Sequence, residues 1–119
     1  MQKISLQEKF GQFSEYWSPK IIGEINDSHV KIAKLKGEFL WHSHAEEDEM
    51  FYVFEGALTV RLRDGDVLLR AGECVVIPRG VEHMPVADEE VLVMMIEPKG
   101  TLNTGNLFNE RTVSNPERI

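Results

Sequence analysis

The chain has 119 residues, of which 42% are hydrophobic and 28% charged. These values are typical of one globular domain and exclude a collagen-like chain, a disulfide scaffold and a disordered chain. The 13 basic and 20 acidic side chains give a net charge of −7, which disfavours nucleic acid and anionic membranes as partners. Neither a signal peptide nor an apolar run of membrane-spanning length is visible, so we expect a cytoplasmic protein.

Residues 1–19 are expected to form an N-terminal helical segment. Ser5 and Glu8 have the spacing of a capping box, in which the serine side chain binds the backbone at the helix start. Three apolar side chains follow at roughly helical spacing: Leu6, Phe10 and Phe13. The pattern predicts a short helix over residues 5–14.

Residues 20–98 contain short runs of β-branched and aromatic residues, which predict an all-β domain. The clearest alternation covers residues 58–62, and Asp64-Gly65 then predicts a hairpin turn. Further turns are expected where turn-forming residues occur: Asn26-Asp27, Ala71-Gly72, Pro78-Arg79-Gly80 and Asp88-Glu89. A break in the alternation between residues 30 and 35 predicts a β-bulge near Ala33.

Residues 99–119 form a polar segment rich in glycine and asparagine. Its apolar residues are isolated and irregularly spaced: Leu102, Leu107, Phe108 and Val113. Such spacing does not favour a helix. We therefore expect a C-terminal tail that lies outside the β domain and packs on it in part as an anchored loop.

Three of the four histidines lie in two short segments of the chain. Residues two apart in a strand share a face, so His42 and His44 are expected to project together. An acidic run that ends in Asp48 and Glu49 follows them, and His83 comes after a distant turn. Imidazole suits Zn, Fe, Ni and Cu, and a carboxylate adds tolerance for Mn, so the segments are candidate halves of a metal site. A plainer interpretation is that these side chains are solvent-exposed.

The two segments resemble the two motifs of the cupin superfamily. The first motif, G(X)5HXH(X)3,4E(X)6G, is matched at four positions: His42, His44, Glu49 and Gly56. The second, G(X)5PXG(X)2H(X)3N, is also matched at four: Gly72, Pro78, Gly80 and His83. Two positions depart, because Gly37 lies one residue too close to His42 and Ala87 replaces the final asparagine. Neither position is a metal ligand in the family.

The resemblance implies a double-stranded β-helix, a jelly-roll-like barrel over residues 20–98. It also implies that four side chains converge in the barrel mouth and bind one divalent transition metal ion, Fe, Mn, Ni or Zn: His42, His44, Glu49 and His83. Glu49 is favoured over Asp48 because it alone is separated from Gly56 by the six residues of the motif. It also shares strand parity with the apolar Phe51.

A homodimer is also expected. The opposite parity in the strand after Glu49 places Met50, Tyr52 and Phe54 on the outer face, where they are too apolar for bare surface. Exposed sheet edges also need cover, and the family resemblance implies the same assembly.

The resemblance further implies a metal-dependent enzyme of dioxygenase, isomerase or lyase type that acts on a small organic molecule. Three or four protein ligands leave open positions on a six-coordinate ion for O2 or a substrate oxygen. A non-catalytic module that binds a sugar or another metabolite is the alternative, and metal handling is a third. The expected wall of the site is apolar: Leu40, Phe51, Val53 and Val81. Such a wall favours a partly hydrophobic acid or diketone over a phosphosugar.

Other residues with distinctive side chains have plainer assignments. Cys74 lies in an apolar run without a cationic neighbour, which predicts a buried hydrophobe rather than a reactive thiolate. Trp41 is expected to point away from the metal site and His29 to lie at the surface. Three methionines are assigned to the core: Met84, Met94 and Met95. Three residues are acid–base or anchoring candidates by type alone: Glu38, Tyr52 and Arg79.

Overall fold

The computed structural model describes residues 1–119 and contains one short helix and eight strands. The helix α1 spans Leu6–Phe10. The strands are β1 (Lys20–Ile25), β2 (Ser28–Glu38), β3 (Glu49–Glu55), β4 (Ala57–Leu62), β5 (Gly65–Arg70), β6 (Cys74–Ile77), β7 (His83–Pro98) and β8 (Glu117–Arg118). None of the helical structure is long and apolar enough to cross a membrane.

The 16-residue strand β7 organises the sheet. Strand β2 pairs with one edge of β7, whereas β4 and β3 share the other edge, β4 near its start and β3 near its end. Strand β6 extends from β3, β5 from β4, and β1 from β2. All these pairs are antiparallel, which confirms the all-β jelly-roll prediction. The sheet curls over its own core without closing into a continuous barrel.

One face of the folded sheet carries the main core. Its buried side chains come from the inward-facing positions of β2, β3, β4, β5, β6 and β7, as the period of a strand requires. They are Ala33, Leu35, Phe51, Val53, Leu58, Val60, Leu69, Ile77, Ala87, Val91, Val93 and Met95. This apolar interior fixes the strands whose ends carry the functional side chains.

Helix α1 covers part of the outer face of the sheet. Ser5 Oγ accepts a hydrogen bond from the backbone N–H of Glu8 at 3.3 Å, which confirms the predicted N-cap. The helix ends at Phe10, four residues earlier than predicted, because Gly11 caps it. The Phe10 ring stacks on Phe54 with centroids 5.5 Å apart. The sequence predicts Phe54 at a subunit interface, but helix α1 of the same chain covers it.

Two predictions of irregular structure were wrong for a common reason. Residues 88–89 are not a turn, because β7 runs through them without interruption. The bulge lies between Leu35 and Gly37 rather than near Ala33. Between Leu35 and Gly37, strand β7 has extra residues that find no partner on β2. These extra residues are the exposed acidic segment 88–90, which bulges out of the otherwise continuous strand. The hairpin turn also shifts by one residue, since Gly65 already begins β5.

The tail returns to the sheet at its end. Strand β8 pairs in parallel with Lys20 and Ile21 of β1, and the Ile119 N–H donates to the Ile21 carbonyl at 3.0 Å. The prediction of a tail entirely outside the sheet was therefore wrong for these last residues. The segment between β7 and β8 has no regular strand or helix.

The prediction for Cys74 was wrong, because its side chain is exposed. Strand β6 pairs only with β3, so it is an edge strand. Within it, Ile77 is buried and Val75 half-buried, whereas Cys74 and Val76 share the outward parity. An apolar run on an edge strand thus contains outward-facing positions that composition alone does not reveal.

Candidate metal centre

His42 and His83 are brought together by backbone pairing. The His42 N–H donates to the His83 carbonyl at 3.0 Å, and the His83 N–H donates to the His42 carbonyl at 2.9 Å. This reciprocal pair makes the two residues direct neighbours in an antiparallel bridge. Their side chains therefore lie on the same face, with ring centroids 4.3 Å apart.

Glu49 and Asp48 have separate roles. Glu49 is the first residue of β3 and is buried with the inward parity of Phe51 and Val53. Asp48 is exposed, and its carboxylate accepts a hydrogen bond from the Arg79 N–H at 2.9 Å. It thereby holds the turn that precedes His83. Of the two carboxylates, only Glu49 faces the histidines.

The four side chains expected to bind metal form one buried cluster. They are His42, His44, Glu49 and His83, and one candidate ligand atom from each lies within 4.8 Å of all the others. Glu49 Oε1 lies 3.5 Å from His44 Nε2 and 3.4 Å from His83 Nε2. Ligands on opposite sides of a metal with bonds of ~2.1 Å are ~4.2 Å apart, so the spacing is close to that of a metal site.

Two of the imidazoles are oriented by backbone carbonyls. His42 Nδ1 lies 2.9 Å from the Leu40 oxygen, and His83 Nδ1 lies 2.9 Å from the Val81 oxygen. A ring that donates from Nδ1 keeps Nε2 free as a lone-pair donor, which is the arrangement of metal-bound histidines. Burial, assisted by the neighbouring His83, lowers the pKa of His42 to about 4. The ring is therefore neutral at neutral pH.

Glu49 carries the negative charge of the cluster. Burial acts to raise its pKa, but the adjacent side chains of Glu97, His44 and His83 outweigh burial and hold the pKa well below its usual range. The Glu97 carboxyl behaves oppositely, because burial and the adjacent charge of Glu49 raise its pKa well above its usual range. Two neighbouring carboxyl groups thus carry different charges.

Sequence reasoning missed a buried contact between a lysine and a carboxyl group behind Glu49. Lys31 Nζ lies 2.8 Å from Glu97 Oε1, and both side chains are 3% exposed. The two residues sit at inward positions of β2 and β7, in line with Ala33 and Met95. A charged residue at inward strand parity is the signal that would have revealed them. Their contact, however, depends on a pairing between strands 66 residues apart.

An aromatic pocket lies beside the cluster. It is lined by His42, Glu49, Glu97, Asn103 and eight apolar or aromatic residues: Trp17, Pro19, Ala33, Leu35, Phe39, Phe51, Pro85 and Met95. The rings of Trp17 and Phe39 stack with centroids 4.7 Å apart. Of the expected wall, only Phe51 lines this pocket. Val53 lies deeper in the core, and Leu40 and Val81 contribute carbonyl groups to the histidines.

Other residues singled out in the sequence lie outside the cluster. The Arg63 guanidinium stacks on the outward-facing Trp41 ring at 3.7 Å, which confirms that Trp41 points away. His29, expected at the surface, is half-buried and lies 3.7 Å from Glu24. The three acid–base candidates by type are not among the clustered residues or the lining of the aromatic pocket: Glu38, Tyr52 and Arg79. Met84 and Met95 are core residues, whereas Met94 is half-buried on the outer face.

A second, open depression reaches Glu49 from another side. Its lining includes four carboxylates: Glu46, Asp48, Glu49 and Glu97. Acidic walls raise the local concentration of cations. The exposed carboxylates of Glu46 and Asp48 therefore favour cations at the opening of this depression.

The donor set fits a transition metal ion. Three atoms that face the centre are buried without a hydrogen-bond partner: His44 Nε2, His83 Nε2 and Glu49 Oε1. Unpartnered buried polar atoms are rare in folded proteins because each carries a desolvation cost of about 1–3 kcal/mol. Neutral imidazoles and a charged carboxylate are the donors that Fe, Mn, Ni and Zn accept.

The protein is a small antiparallel jelly roll with three buried imidazoles and one buried carboxylate clustered at one end of its interior. These features define its class as a small β protein with a candidate metal centre. A family model described as "Cupin domain" matches residues 28–97. The chain belongs to the cupin family.

Three relatives support this assignment. The uncharacterized protein YdbB of Bacillus subtilis (strain 168) is 33% identical over 95 residues, which cover 79% of this chain and 78% of YdbB. The crystal structure of a cupin-2 domain containing protein from Shewanella frigidimarina is 50% identical, with a TM-score of 0.80 over 81% of this chain and 94% of that chain. Protein NMB1881 from Neisseria meningitidis is 30% identical, with a TM-score of 0.75 over 82% of this chain and 100% of that chain.

Proposed function

We propose that the protein is a metal-dependent cupin enzyme that acts on a small organic molecule. One divalent transition metal ion, Fe, Mn, Ni or Zn, binds to four side chains: His42, His44, Glu49 and His83. The main support is the cluster itself, whose ligand atoms lie within 4.8 Å of one another and include unpartnered buried atoms. A purely structural metal site is normally closed by protein ligands, whereas this one faces a pocket.

A metal ion with open coordination positions supplies Lewis-acid or redox chemistry. The chain's own residues prepare the site for it. The Leu40 and Val81 carbonyls hold two rings with Nε2 towards the centre, and Glu49 keeps its charge there. The apolar wall around Phe51 excludes water and strengthens electrostatic interactions inside the pocket.

The apolar lining of the pocket supports a substrate that is small and partly hydrophobic. Trp17, Phe39 and Phe51 provide most of the aromatic part of this lining. The pocket lining includes neither lysine nor arginine, so no cationic side chain would balance a phosphate beside the metal ion. Keto-acids, diketones and phenols therefore fit the proposal better than sugar phosphates.

The test is elemental analysis of protein purified without chelator, followed by assays of keto-acids, diketones, phenols and sugar phosphates. Each compound is assayed with Fe(II), Mn(II), Ni(II) and Zn(II). We expect about one metal ion per chain and turnover of an apolar member of the panel. His83→Ala should abolish turnover, whereas the control His29→Ala should retain it.

Two outcomes would contradict the proposal. Absence of bound metal under every condition would remove the metal centre. A compound that binds tightly, perturbs the spectrum of the bound metal and emerges unchanged would instead favour a non-catalytic binding module.

A further inference from the structure

The tail between β7 and β8 lies directly on the segment that carries the first two candidate ligands. The Asn106 N–H donates to the Ser43 carbonyl at 2.9 Å, and the Ser43 N–H donates to Asn106 Oδ1 at 3.0 Å. Ser43 stands between His42 and His44. One tail residue therefore holds both polar backbone groups of the residue that joins the two ligands.

Gly105 permits this close approach. A Cβ atom at this position would lie 2.2 Å from the Ser43 carbonyl oxygen and 3.1 Å from His42 Cδ2. The first distance is far below any real contact of a side chain with a backbone atom. Gly105 also has a φ of 58°, in the left-handed region. Only glycine thus allows the tail to touch the ligand-bearing backbone without displacing it.

The tail is held in shape by its own side chains. Thr104 is fully buried, and its hydroxyl bonds the Leu107 carbonyl at 2.7 Å and the Thr112 hydroxyl at 2.6 Å. The Asn103 amide donates to the Arg111 carbonyl at 2.9 Å and accepts from the Val113 N–H at 2.8 Å. These bonds fix the loop that presents Gly105 and Asn106.

Apart from the tail, two backbone contacts hold the ligand-bearing segment: the bridge between His42 and His83, and the Gly80 N–H, which donates to the His44 carbonyl at 2.7 Å. Ser43, between these two positions, has its polar backbone groups paired only with Asn106. His42 forms only an isolated bridge with His83, and residues 43–48 belong to no strand. Both ring nitrogens of His44 lack a hydrogen-bond partner. The bridge to His83 lies along one edge of the segment. No strand pairs with Ser43, and Asn106 binds its backbone groups instead.

We propose that Gly105 and Asn106 are positioning residues of the metal centre. They fix the backbone of residues 42–44 so that both imidazoles face Glu49 and His83. The inference rests on the proposed function, because it assumes that these side chains bind metal.

The first test is titration of the full-length, metal-free protein with Co²⁺, whose visible spectrum reports ligand geometry. Gly105→Ala should weaken Co²⁺ binding at least tenfold and shift the absorption bands. Gly100→Ala is the matched control, because Gly100 lies near the start of the same tail with a φ of 87° and has nothing within 4 Å of a built Cβ. It shares the backbone strain without the clash and should bind Co²⁺ within twofold of the wild type.

A second pair of variants decides the case if Gly105→Ala fails to fold. Asn106→Ala removes the acceptor for the Ser43 N–H and should weaken Co²⁺ binding several-fold, whereas Asn106→Asp keeps an acceptor oxygen and should restore most of it. Wild-type affinity and spectrum in Asn106→Ala, or in folded Gly105→Ala, would overturn the positioning role. If the wild-type protein binds no Co²⁺, the proposed function itself fails.

Discussion

The two ends of the protein interior are built on the same strands and filled with opposite chemistry. Strand β3 begins with Glu49 and continues inward with Phe51 and Val53, and β7 begins with His83 and continues to Val91. At one end the alternating positions hold an apolar core, and at the other they hold three imidazoles and a carboxylate. The same alternation of inward-facing side chains thus builds both the apolar core and the proposed metal site. Substitutions at the apolar end should affect stability, and substitutions at the polar end should affect metal binding.

The largest expected effect is loss of metal at the polar end. The double substitution His42→Ala/His44→Ala removes two of the four donors and should weaken metal binding by more than about 100-fold, beyond what loss of a supporting contact causes. Elemental analysis and Co²⁺ titration measure it. His29→Ala removes the histidine outside the cluster and serves as control. A double variant with a full complement of metal would refute the ligand assignment.

At the apolar end the expected effect is on folding alone. Leu58 is fully buried, so Leu58→Ala should lower the free energy of unfolding by about 3 kcal/mol in urea denaturation. The metal content of the folded variant should stay at the wild-type value. Leu68→Ala is the matched control, because Leu68 is 51% exposed and should cost less than about 1 kcal/mol. Equal losses from the two substitutions would contradict the described core.

Acid should lower the folding stability of the metal-free protein through His42 at the polar end. The pKa of His42 is about 4 in the folded protein and 6.5 in an unfolded chain. Between these values the unfolded chain binds more protons, so the contribution of His42 to stability is complete above pH 6.5 and is lost as pH falls towards 4. The slope is at most about 1.4 kcal/mol per pH unit.

Urea unfolding of chelator-treated protein across this pH range measures the effect. In His42→Gln the residue no longer titrates, so its stability curve should be flatter than that of the wild type. Parallel curves for the two proteins would show that His42 takes up its proton equally well in both states.

The smallest expected effect concerns the outer face, away from both ends of the interior. Met50 pairs across strands with Val76 and Ile96, and Val76 is 58% exposed. We expect this patch to form a homodimer, with twice the 13.6 kDa chain mass in light scattering. Val76→Glu should shift the protein towards monomer, whereas Leu68→Glu on β5 should not. A monomer mass for the wild type at micromolar concentration would contradict the dimer.

The clustering of three histidines with Glu49 could be predicted because these residues lie in two short segments with characteristic spacing. Strand alternation explained why Glu49 rather than Asp48 faces inward. Glu97, Trp17 and the contact of Asn106 with Ser43 could not be predicted, since each depends on pairing between distant parts of the chain. The continuous strand through Asp88 was missed for a related reason, because β7 pairs with β2 on both sides of this segment, at Ala87 and Val91, and so continues through unpaired residues.

The two tryptophans give the protein a built-in optical reporter. Trp17 stacks on Phe39 in the pocket wall, whereas Trp41 lies outside beneath Arg63. Indole fluorescence responds to the polarity of its surroundings and to nearby paramagnetic ions. With Trp41 changed to Phe, the remaining emission comes from Trp17 alone, so its intensity and colour follow the arrival of a molecule in the pocket. Ligand discovery for this chain therefore requires neither a known reaction nor a label.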